Sequence, residues 1–285
     1  IRPGQVRRPS LAHRTDHRRC IASKGGVQTD TPLCQEFESV PQKFLFIFFV
    51  LLAVQPLNPK QTGLLCSVRK ALCYDSCPMN KGYVAIIDYQ AGNLRSVQKA
   101  LEKASVTAVI TSDPLKIRGA SGMVFPGQGA NDSSLRHLRE RDLVQPIKDF
   151  IVSGKPFLGV CLGLHLLLDD SDEGDEPGLG LISGRVRRLP QGAKVPHMGW
   201  NQVAFQQEYP EFEGVPQNTN FYFVHSYYAD PIDADVVAGT TSYGIEFCSA
   251  VVRDNLVAVQ FHPEKSGDVG LQIYRNFAGR LDGGA

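Results

Sequence analysis

From Lys81 onward, short hydrophobic runs alternate with segments whose hydrophobic residues recur at helical spacing. The runs "YVAIIDY", "VTAVITS", "GMVFPG" and "PFLGV" predict buried strands. Between them, Leu94, Val97 and Leu101 predict one helix, and "RDLVQPIKDFIVSG" predicts a second helix that ends at Gly154. This order over about 80 residues is typical of an open α/β sheet with mostly parallel strands, in which ligands bind where strands end and helices begin.

After Gly178 the pattern changes to strand-like runs joined by turns rich in Pro, Gly, Asn and Asp. The runs are "GRVRRL", "NQVAF", "FYFVHSYY", "DVVAG", "IEFCSAVV" and "NLVAVQF". Residues 254–255 predict the turn between the last two runs, and residues 271–281 predict a closing helix. That helix places four residues on one side: Leu271, Tyr274, Ala278 and Leu281. Together these elements predict one α/β domain over residues 80–285, with an open, mixed and mostly parallel sheet flanked by helices.

Residues 1–78 differ from the rest of the chain in charge and in cysteine content. They carry eleven Lys and Arg residues against five Asp and Glu residues, whereas residues 79–285 carry nineteen against twenty-four. Five of the seven cysteines also precede Met79: Cys20, Cys34, Cys66, Cys73 and Cys77. We therefore interpret residues 1–78 as an unassigned N-terminal extension that is not part of the fold.

The extension contains one long hydrophobic run, "FLFIFFVLLAV" at residues 44–54. This run is shorter than the ~20 residues that a helix needs to span a bilayer, and a signal peptide would place it nearer the N-terminus. The Arg-rich, acid-poor start is compatible with a plastid transit peptide, and otherwise we expect a cytoplasmic protein. A net charge of +1 with 21% charged residues argues against a nucleic-acid-binding or membrane-surface protein.

The stretch "KPFLGVCLGLHLLLDD" places Cys161 between Gly159 and Gly163, where a predicted strand meets a helix. It has the form of a nucleophile elbow with sulfur in place of oxygen, because glycines allow a strained turn that projects the central side chain. Free N–H groups at the helix start favour the thiolate, and the N–H of Leu162 is placed to stabilise an oxyanion. This motif alone leaves open a buried structural cysteine.

A thiolate that performs acyl transfer needs a base, and the base needs an orienting carboxylate. The segment "AVQFHPEKSG" offers both in His262 and Glu264, which flank Pro263. Proline favours an extended conformation in the residue before it, and residues i and i+2 of an extended chain point the same way. The alternative is a surface His and Glu at a strand end. We predict a catalytic triad of Cys161, His262 and Glu264.

The chain from residue 82 to residue 281 resembles the triad-type (class I) glutamine amidotransferases, whose fold is flavodoxin-like. Within them it is similar to the family of glutaminase subunits of imidazole glycerol phosphate synthase, an enzyme of histidine biosynthesis. The motifs shared with the wider group are the cysteine elbow and the His-Pro-Glu segment. Two motifs indicate the histidine-pathway family. They are "GNLRSV", with Tyr89 three residues before its first glycine, and "KVPHMGWN".

The resemblance implies that the chain hydrolyses glutamine to glutamate and ammonia without a metal or an organic cofactor, and residues 79–285 have no metal-ligand spacing. It implies a heterodimer with a (β/α)8-barrel cyclase subunit, which uses the ammonia to make imidazole glycerol phosphate and AICAR. It also implies substrate-binding roles for Gly127 and Gly129 of the mobile oxyanion loop "PGQGA", beside Leu162. Asn93 and Trp200 are implied to lie near the cyclase.

Two positions depart from the family pattern, and one acidic run needs interpretation. The residue four positions after the nucleophile is usually a Gln that helps to hold glutamine, and here it is His165, for which we expect weakened or rearranged binding. Gln90 replaces a usual Gly in the first turn. The run "DDSDEGDE" at residues 169–176 lacks the alternation of a calcium loop, and we interpret it as a solvated loop.

Three alternatives to this function remain open from the sequence. An amidotransferase subunit of another pathway would keep the triad but lack "KVPHMGWN". A free-standing Cys-dependent glutamyl hydrolase would need no partner. A non-catalytic binding subunit with a decayed site is supported only by His165. Glutaminase activity measured with and without a cyclase distinguishes the three.

Overall fold

The structure, a computed structural model, describes residues 82–281. The predictions for residues 1–78, including the hydrophobic run at residues 44–54 and the domain boundary at residue 80, lie outside the described residues. Within the described part of the chain, no helix is both long enough and apolar enough to cross a membrane.

Twelve strands within residues 82–281 form one mixed sheet. Their bounds are Val84–Ile87 (β1), Ala108–Thr111 (β2), Gly122–Gly127 (β3), Phe157–Cys161 (β4), Asp170–Ser171 (β5), Gly184–Arg188 (β6), His197–Phe205 (β7), Thr219–His225 (β8), Tyr227–Pro231 (β9), Val237–Ser242 (β10), Glu246–Arg253 (β11) and Leu256–Val259 (β12). The α-helices are Leu94–Lys103 (α1), Pro114–Gly119 (α2), Asn131–Glu140 (α3), Val144–Val152 (α4), Leu162–His165 (α5) and Gly267–Gly279 (α6).

One half of the sheet consists of parallel strands in the order β2-β1-β3-β4-β12, which corresponds to the strand order of the flavodoxin-like fold. Every residue of β1, β3, β4 and β12 is buried, as is usual for strands between two layers of helices. Val84 and Ile86 of β1 pack on the side of α1 and α6, whereas Ala85 and Ile87 pack on the side of α2, α3 and α4. The prediction of an open, mixed α/β sheet flanked by helices is confirmed.

The other half of the sheet is antiparallel and continues from β12 through β11, β10, β7 and β8. The predicted turn at residues 254–255 joins β11 to β12, with Arg253 opposite Leu256 and a left-handed Asp254. The run "FYFVHSYY" is not one strand, because the chain breaks at Ser226 into β8 and β9. These two strands pair with different partners, β8 with β7 and β9 with β6 and β11.

Two helices have a weak hydrophobic pattern and were not predicted. α2 buries Ile117, and α3 buries Leu135 and Leu138 among polar and charged residues. In contrast, α4 was predicted and buries Ile147, Phe150 and Ile151, and Gly154 follows it with a left-handed φ of 78°. Such a Gly ends a helix because it adopts this conformation without a steric penalty.

The closing helix α6 begins earlier than predicted and buries a different face. Its buried residues are Gly270, Ile273, Tyr274 and Phe277. Leu271, Ala278 and Leu281 are only half-buried, so the predicted face was wrong except at Tyr274. The cause is close backbone packing, since a Cβ on Gly270 would lie 1.9 Å from the carbonyl oxygen of Pro263.

Candidate active site

Cys161 lies at the end of β4 in a backbone conformation that is unusual for a non-glycine residue, with φ 53° and ψ −108°. The flanking glycines are required by close packing. A Cβ on Gly163 would lie 1.9 Å from the carbonyl oxygen of Phe125, and one on Gly159 would lie 2.8 Å from Cβ of Ala258. The sequence therefore folds here as a strained strand-to-helix turn, as predicted for a nucleophile elbow.

The helix after Cys161 is shorter than the sequence pattern suggests. α5 ends at His165, and all residues from 162 to 168 are buried, so this segment has no polar face. A single turn contributes little macrodipole, because the dipole sums over many aligned peptides. The sequence predicted that the start of this helix favours the thiolate of Cys161. Of that effect, the contribution of the free backbone N–H groups remains, the first of which belongs to Leu162.

The Cys161 side chain opens into a cavity of about 500 Å³, a volume typical of small-molecule sites. The residues that line it come from several elements: Gln128, Gly129, Cys161, Leu162, His165, Glu173, Pro196, Tyr222, Val224, His225, Ser226, Tyr227 and Lys265. Sγ of Cys161 lies 3.9 Å from the carbonyl oxygen of Val224 and 3.8 Å from Nε2 of Gln260. The cavity therefore lies at the carboxyl ends of β3 and β4, where the fold class predicts a ligand.

His262 and Glu264 form a buried pair directly after β12. Nδ1 of His262 and Oε1 of Glu264 are 2.8 Å apart, and the two side chains are 1% and 0% exposed. His262 is extended, with φ −105° and ψ 95°, but Pro263–Lys265 form a single 3₁₀ turn, so the two side chains meet across a turn. The pair projects together as predicted, whereas the predicted extended chain through Pro263 was wrong.

The pKa of His262 is set by opposing effects. Burial lowers the pKa, but the sulfur of Cys161 and the carboxylate of Glu264 outweigh it and raise the pKa to about 10. Nε2 of His262 is buried and makes no hydrogen bond to any group within residues 82–281. The ring therefore lies close enough to Cys161 to interact electrostatically, and Nε2 is not committed to another group.

Two further side chains hold the carboxylate of Glu264. The Nδ2 group of Asn93 donates a hydrogen bond to Oε1, and the hydroxyl of Tyr274 lies 3.5 Å from Oε2. Asn93 has a left-handed φ of 73° at the start of α1, a conformation that Asn tolerates better than most residues. The sequence indicated Asn93 only as an interface residue, and its contact with Glu264 was not predicted.

The "PGQGA" segment begins with the last two residues of β3 and continues beyond the strand, directly beside Cys161. Gly127 is the register partner of Cys161, and a Cβ there would lie 2.3 Å from the Tyr89 hydroxyl and 2.7 Å from Cβ of Leu162. Gly129 lines the cavity with a φ of 124°, and no atom lies within 4 Å of where its Cβ would be. Gly127 is therefore needed for close packing, whereas Gly129 is needed for its backbone conformation.

His165 lies in the cavity wall but is engaged with a neighbouring side chain. Its Nε2 is 2.8 Å from Oε1 of Gln260, and burial lowers the pKa of His165 to about 4. The imidazole is therefore neutral near pH 7. Nδ1 has no hydrogen-bond partner within residues 82–281, which leaves one ring nitrogen for a ligand.

Trp200 lies on the surface and not in the core. It is 58% exposed and belongs to β7, two residues after Met198, which is 62% exposed. The ring of Trp200 lies edge-on to Tyr222 of β8, at a centroid distance of 6.1 Å. Tyr222 also lines the cavity, so this exposed apolar patch is continuous with the rim of the cavity.

Several cavity residues had no recognisable signal in the sequence. Glu173 belongs to the acidic run interpreted as a solvated loop, in which four of the eight residues are exposed. Its carboxylate accepts a hydrogen bond from Asn131 N–H at 3.1 Å and faces the cavity. Its burial raises its pKa. Lys265, the residue after the His-Pro-Glu segment, also lines the cavity. Their positions depend on contacts between distant parts of the chain.

The family model for the class-I glutamine amidotransferases matches residues 85–280 of the chain. The chain belongs to the class-I glutamine amidotransferase family. Its relatives include imidazole glycerol phosphate synthase subunits HisH. The protein of Gloeothece citriformis is 50% identical over 202 residues, covering 70% of this chain and 96% of the relative. That of Geobacter metallireducens is 51% identical over 203 residues, covering 68% and 97%.

Solved structures with low sequence identity share the fold. A structure described as a glutamine amidotransferase is 21% identical, covers 70% of this chain and 100% of its own, and has a TM-score of 0.56. PurLQS from Thermotoga maritima is 18% identical, covers 70% and 99%, and has a TM-score of 0.58. At these identities the likeness concerns the fold of the class.

Proposed function

We propose that the chain is the glutaminase subunit of imidazole glycerol phosphate synthase in histidine biosynthesis. The observation that carries the proposal is the 50% identity to a HisH subunit over 96% of that subunit's length. The cavity supports it, because one thiol, one imidazole and one carboxylate lie at the carboxyl ends of the parallel strands. Mixing the chain with the cyclase of the same source, glutamine and the nucleotide substrate should give imidazole glycerol phosphate, and omitting either protein should give none.

In the first half of the reaction, Sγ of Cys161 attacks the side-chain carbonyl carbon of glutamine. His262 takes the thiol proton on Nε2, or holds it already in an imidazolium–thiolate pair, which the raised pKa of His262 favours. Negative charge develops on the carbonyl oxygen, and the N–H of Leu162 together with an N–H of the "PGQGA" loop stabilises it. Gly129 provides the freedom that this loop needs to turn an amide towards the oxygen.

In the second half, His262 gives its proton to the departing nitrogen, so that ammonia leaves and a glutamyl thioester remains on Cys161. Water then attacks the thioester with His262 as base, releasing glutamate and restoring the thiol. Glutamine and water are consumed, and glutamate and ammonia are produced. Glu264, held by Asn93 and Tyr274, keeps the imidazole oriented with Nε2 towards the sulfur.

The cavity has groups suited to the amino-acid end of glutamine. Glu173 offers a carboxylate to the α-ammonium, and Lys265 on the rim offers a cation to the α-carboxylate. His165 offers Nδ1 as an acceptor in place of the amide that the family usually has. Binding is therefore rearranged relative to the family and not lost.

We infer that the cyclase docks beside the cavity, so that ammonia passes between the two proteins without release to the solvent. The exposed apolar patch of Met198 and Trp200 supports this location, because it is continuous with the cavity rim through Tyr222. Large aromatic residues that are exposed in one subunit are common anchors of interfaces. The stoichiometry of the complex and the barrel fold of the cyclase are part of this proposal.

Trp200→Ala is expected to weaken association with the cyclase by about 30-fold, the effect of removing an interface anchor. The thermal stability of the isolated chain should change little, since the ring is 58% exposed. Titration calorimetry with the cyclase measures the first effect and thermal unfolding the second. Leu115→Ala is the matched control. Leu115 is also an exposed apolar residue, at 71%, but it lies on helix α2 and not on strand β7, which carries Trp200. An unchanged affinity in Trp200→Ala would exclude the patch as the docking site.

We also propose that residues 80–285 form the functional domain and that residues 1–78 are dispensable for it. A chain that begins at Met79 is expected to unfold in one cooperative transition and to match the full chain in cyclase-dependent glutaminase activity. Circular dichroism and glutamate release are the measurements. Aggregation, or a loss of activity beyond about twofold, would show that the leading segment contributes to the domain.

A further inference from the structure

Gln260 is a wholly buried carboxamide beside the candidate nucleophile, and the proposed reaction steps do not use it. It follows β12 directly, and its backbone N–H donates to the carbonyl oxygen of Ser249 at 2.9 Å. β12 lies parallel to β4 with Val259 opposite Val160, so the next residues along the two strands are Gln260 and Cys161. The sheet therefore fixes the Gln260 side chain next to the sulfur.

The carboxamide of Gln260 bridges two residues of the cavity. Oε1 lies 2.8 Å from Nε2 of His165, and Nε2 lies 3.8 Å from Sγ of Cys161. The second distance falls within the longer range of hydrogen bonds to sulfur. Through this one side chain, the imidazole of His165 and the thiol of Cys161 are connected.

The tautomer of His165 and the direction of the Gln260 carboxamide are linked. Its imidazole is neutral near pH 7, so it carries one ring proton. With that proton on Nε2, His165 donates to Oε1, and the NH2 group of Gln260 must point to Cys161. An amide turned the other way would place its carbonyl oxygen against the sulfur and would oppose a thiolate.

We propose that Gln260 is a positioning residue for the sulfur of Cys161, and that His165 sets the orientation of its carboxamide. An N–H donor stabilises a thiolate more than a thiol, and it limits the directions in which the sulfur can point. This inference rests on the proposed function, in which Cys161 is the nucleophile. It assigns His165 a structural task inside the site, in addition to any contact with glutamine.

Other titratable groups also lie around the sulfur and must stay unchanged in a test. They are Tyr89 after β1, Glu173 and Lys265 in the cavity wall, His225 at the end of β8, and the His262–Glu264 pair. The variants described next alter none of these residues.

The pH dependence of Cys161 alkylation tests the proposal. The full chain is treated with iodoacetamide from pH 5 to pH 10, and modification of the Cys161 peptide is followed by mass spectrometry. Gln260→Met, which keeps the length of the side chain but removes the donor, is expected to move the midpoint upward by about one pH unit. At pH values below both midpoints the rate should fall about tenfold. Cys248 gives an internal reference, because burial raises its pKa to about 12 and it should stay unmodified.

Two controls separate positioning from a general effect on the fold. Ser249→Ala removes an equally buried polar group whose hydroxyl bonds to Thr241, and it should leave the Cys161 profile unchanged. His165→Leu should move the profile in the same direction as Gln260→Met but by less. The double variant should match Gln260→Met alone, because His165 acts through the carboxamide.

If a folded Gln260→Met variant shows a midpoint of Cys161 alkylation within about 0.2 pH units of the parent value, the proposal is overturned. If thermal unfolding shows that this variant does not fold, Gln260→Glu takes its place. It keeps the side-chain shape and presents oxygen instead of N–H to the sulfur, so the midpoint should rise and an unchanged midpoint would again contradict the proposal. Alkylation requires neither glutamine nor a cyclase, so a failure of the proposed function would appear separately, as absence of glutamate release by the parent complex.

Discussion

Replacing Cys161 with Ala is expected to reduce glutamine-dependent formation of imidazole glycerol phosphate by a factor of at least about 10⁴, because the acyl-enzyme cannot form without the sulfur. Glutamate release should fall by the same factor. With ammonium salts at alkaline pH, the complex should make the product at the parent rate, since external ammonia reaches the cyclase without the thiol. The two nitrogen sources thus separate loss of chemistry from loss of folding.

The matched control for this variant is Cys248→Ala. Cys248 is buried in β11, its thiol contacts the backbone carbonyl of Ala250 at 3.4 Å, and burial raises its pKa to about 12. It therefore has no thiolate to offer near pH 7, and the variant should keep both activities. Glutamine hydrolysis retained in Cys161→Ala, or lost in Cys248→Ala, would contradict the assignment of the nucleophile.

The second large effect is expected from the cyclase. The isolated chain should release glutamate about 10² to 10³ times more slowly than the complex with bound nucleotide, the usual effect of one missing oxyanion donor. The physical reason is the loop at Gly129, whose φ of 124° and open surroundings allow its amides to reorient. Docking and ligand binding would select the arrangement in which an N–H faces the oxyanion.

Glutamate production by the isolated chain, by the complex, and by the complex with nucleotide measures this coupling. Rates should rise in that order, with the largest step on addition of the nucleotide. Equal rates in all three conditions would show that the loop is already aligned, and would favour a free-standing glutamyl hydrolase. Lactate dehydrogenase or another unrelated protein in place of the cyclase controls for a general effect of added protein.

Sequence reasoning was most successful where a local pattern determines local structure. The glycines around Cys161 predicted the strained turn, and the structure gives the steric reason in the contacts that a Cβ on Gly163 would make with Phe125. Pro263 predicted that His262 and Glu264 project together, and they lie 2.8 Å apart. The catalytic roles of these three residues stay predictions until they are tested.

Sequence reasoning was least successful where a residue acts through a partner far along the chain. Asn93 forms a hydrogen bond with Glu264, from which it is separated by 171 positions in the sequence. Gln260 forms one with His165, from which it is separated by 95 positions. Neither contact has a signal in spacing or periodicity, because both arise when the sheet brings distant strand ends together. α3 was missed for a related reason, since its two buried leucines become a core face only when the helix lies against the sheet.

The most direct test of the proposed function follows the nitrogen atom. The full chain and the cyclase are given glutamine labelled with ¹⁵N in its side-chain amide, in the presence of excess unlabelled ammonium near neutral pH, and the imidazole glycerol phosphate is analysed by mass spectrometry. The account predicts that nearly every product molecule carries ¹⁵N, because the ammonia released at Cys161 reaches the cyclase before it mixes with the solvent. Product that carries the isotope ratio of the bulk ammonium, with labelled ammonia accumulating in solution, would contradict it.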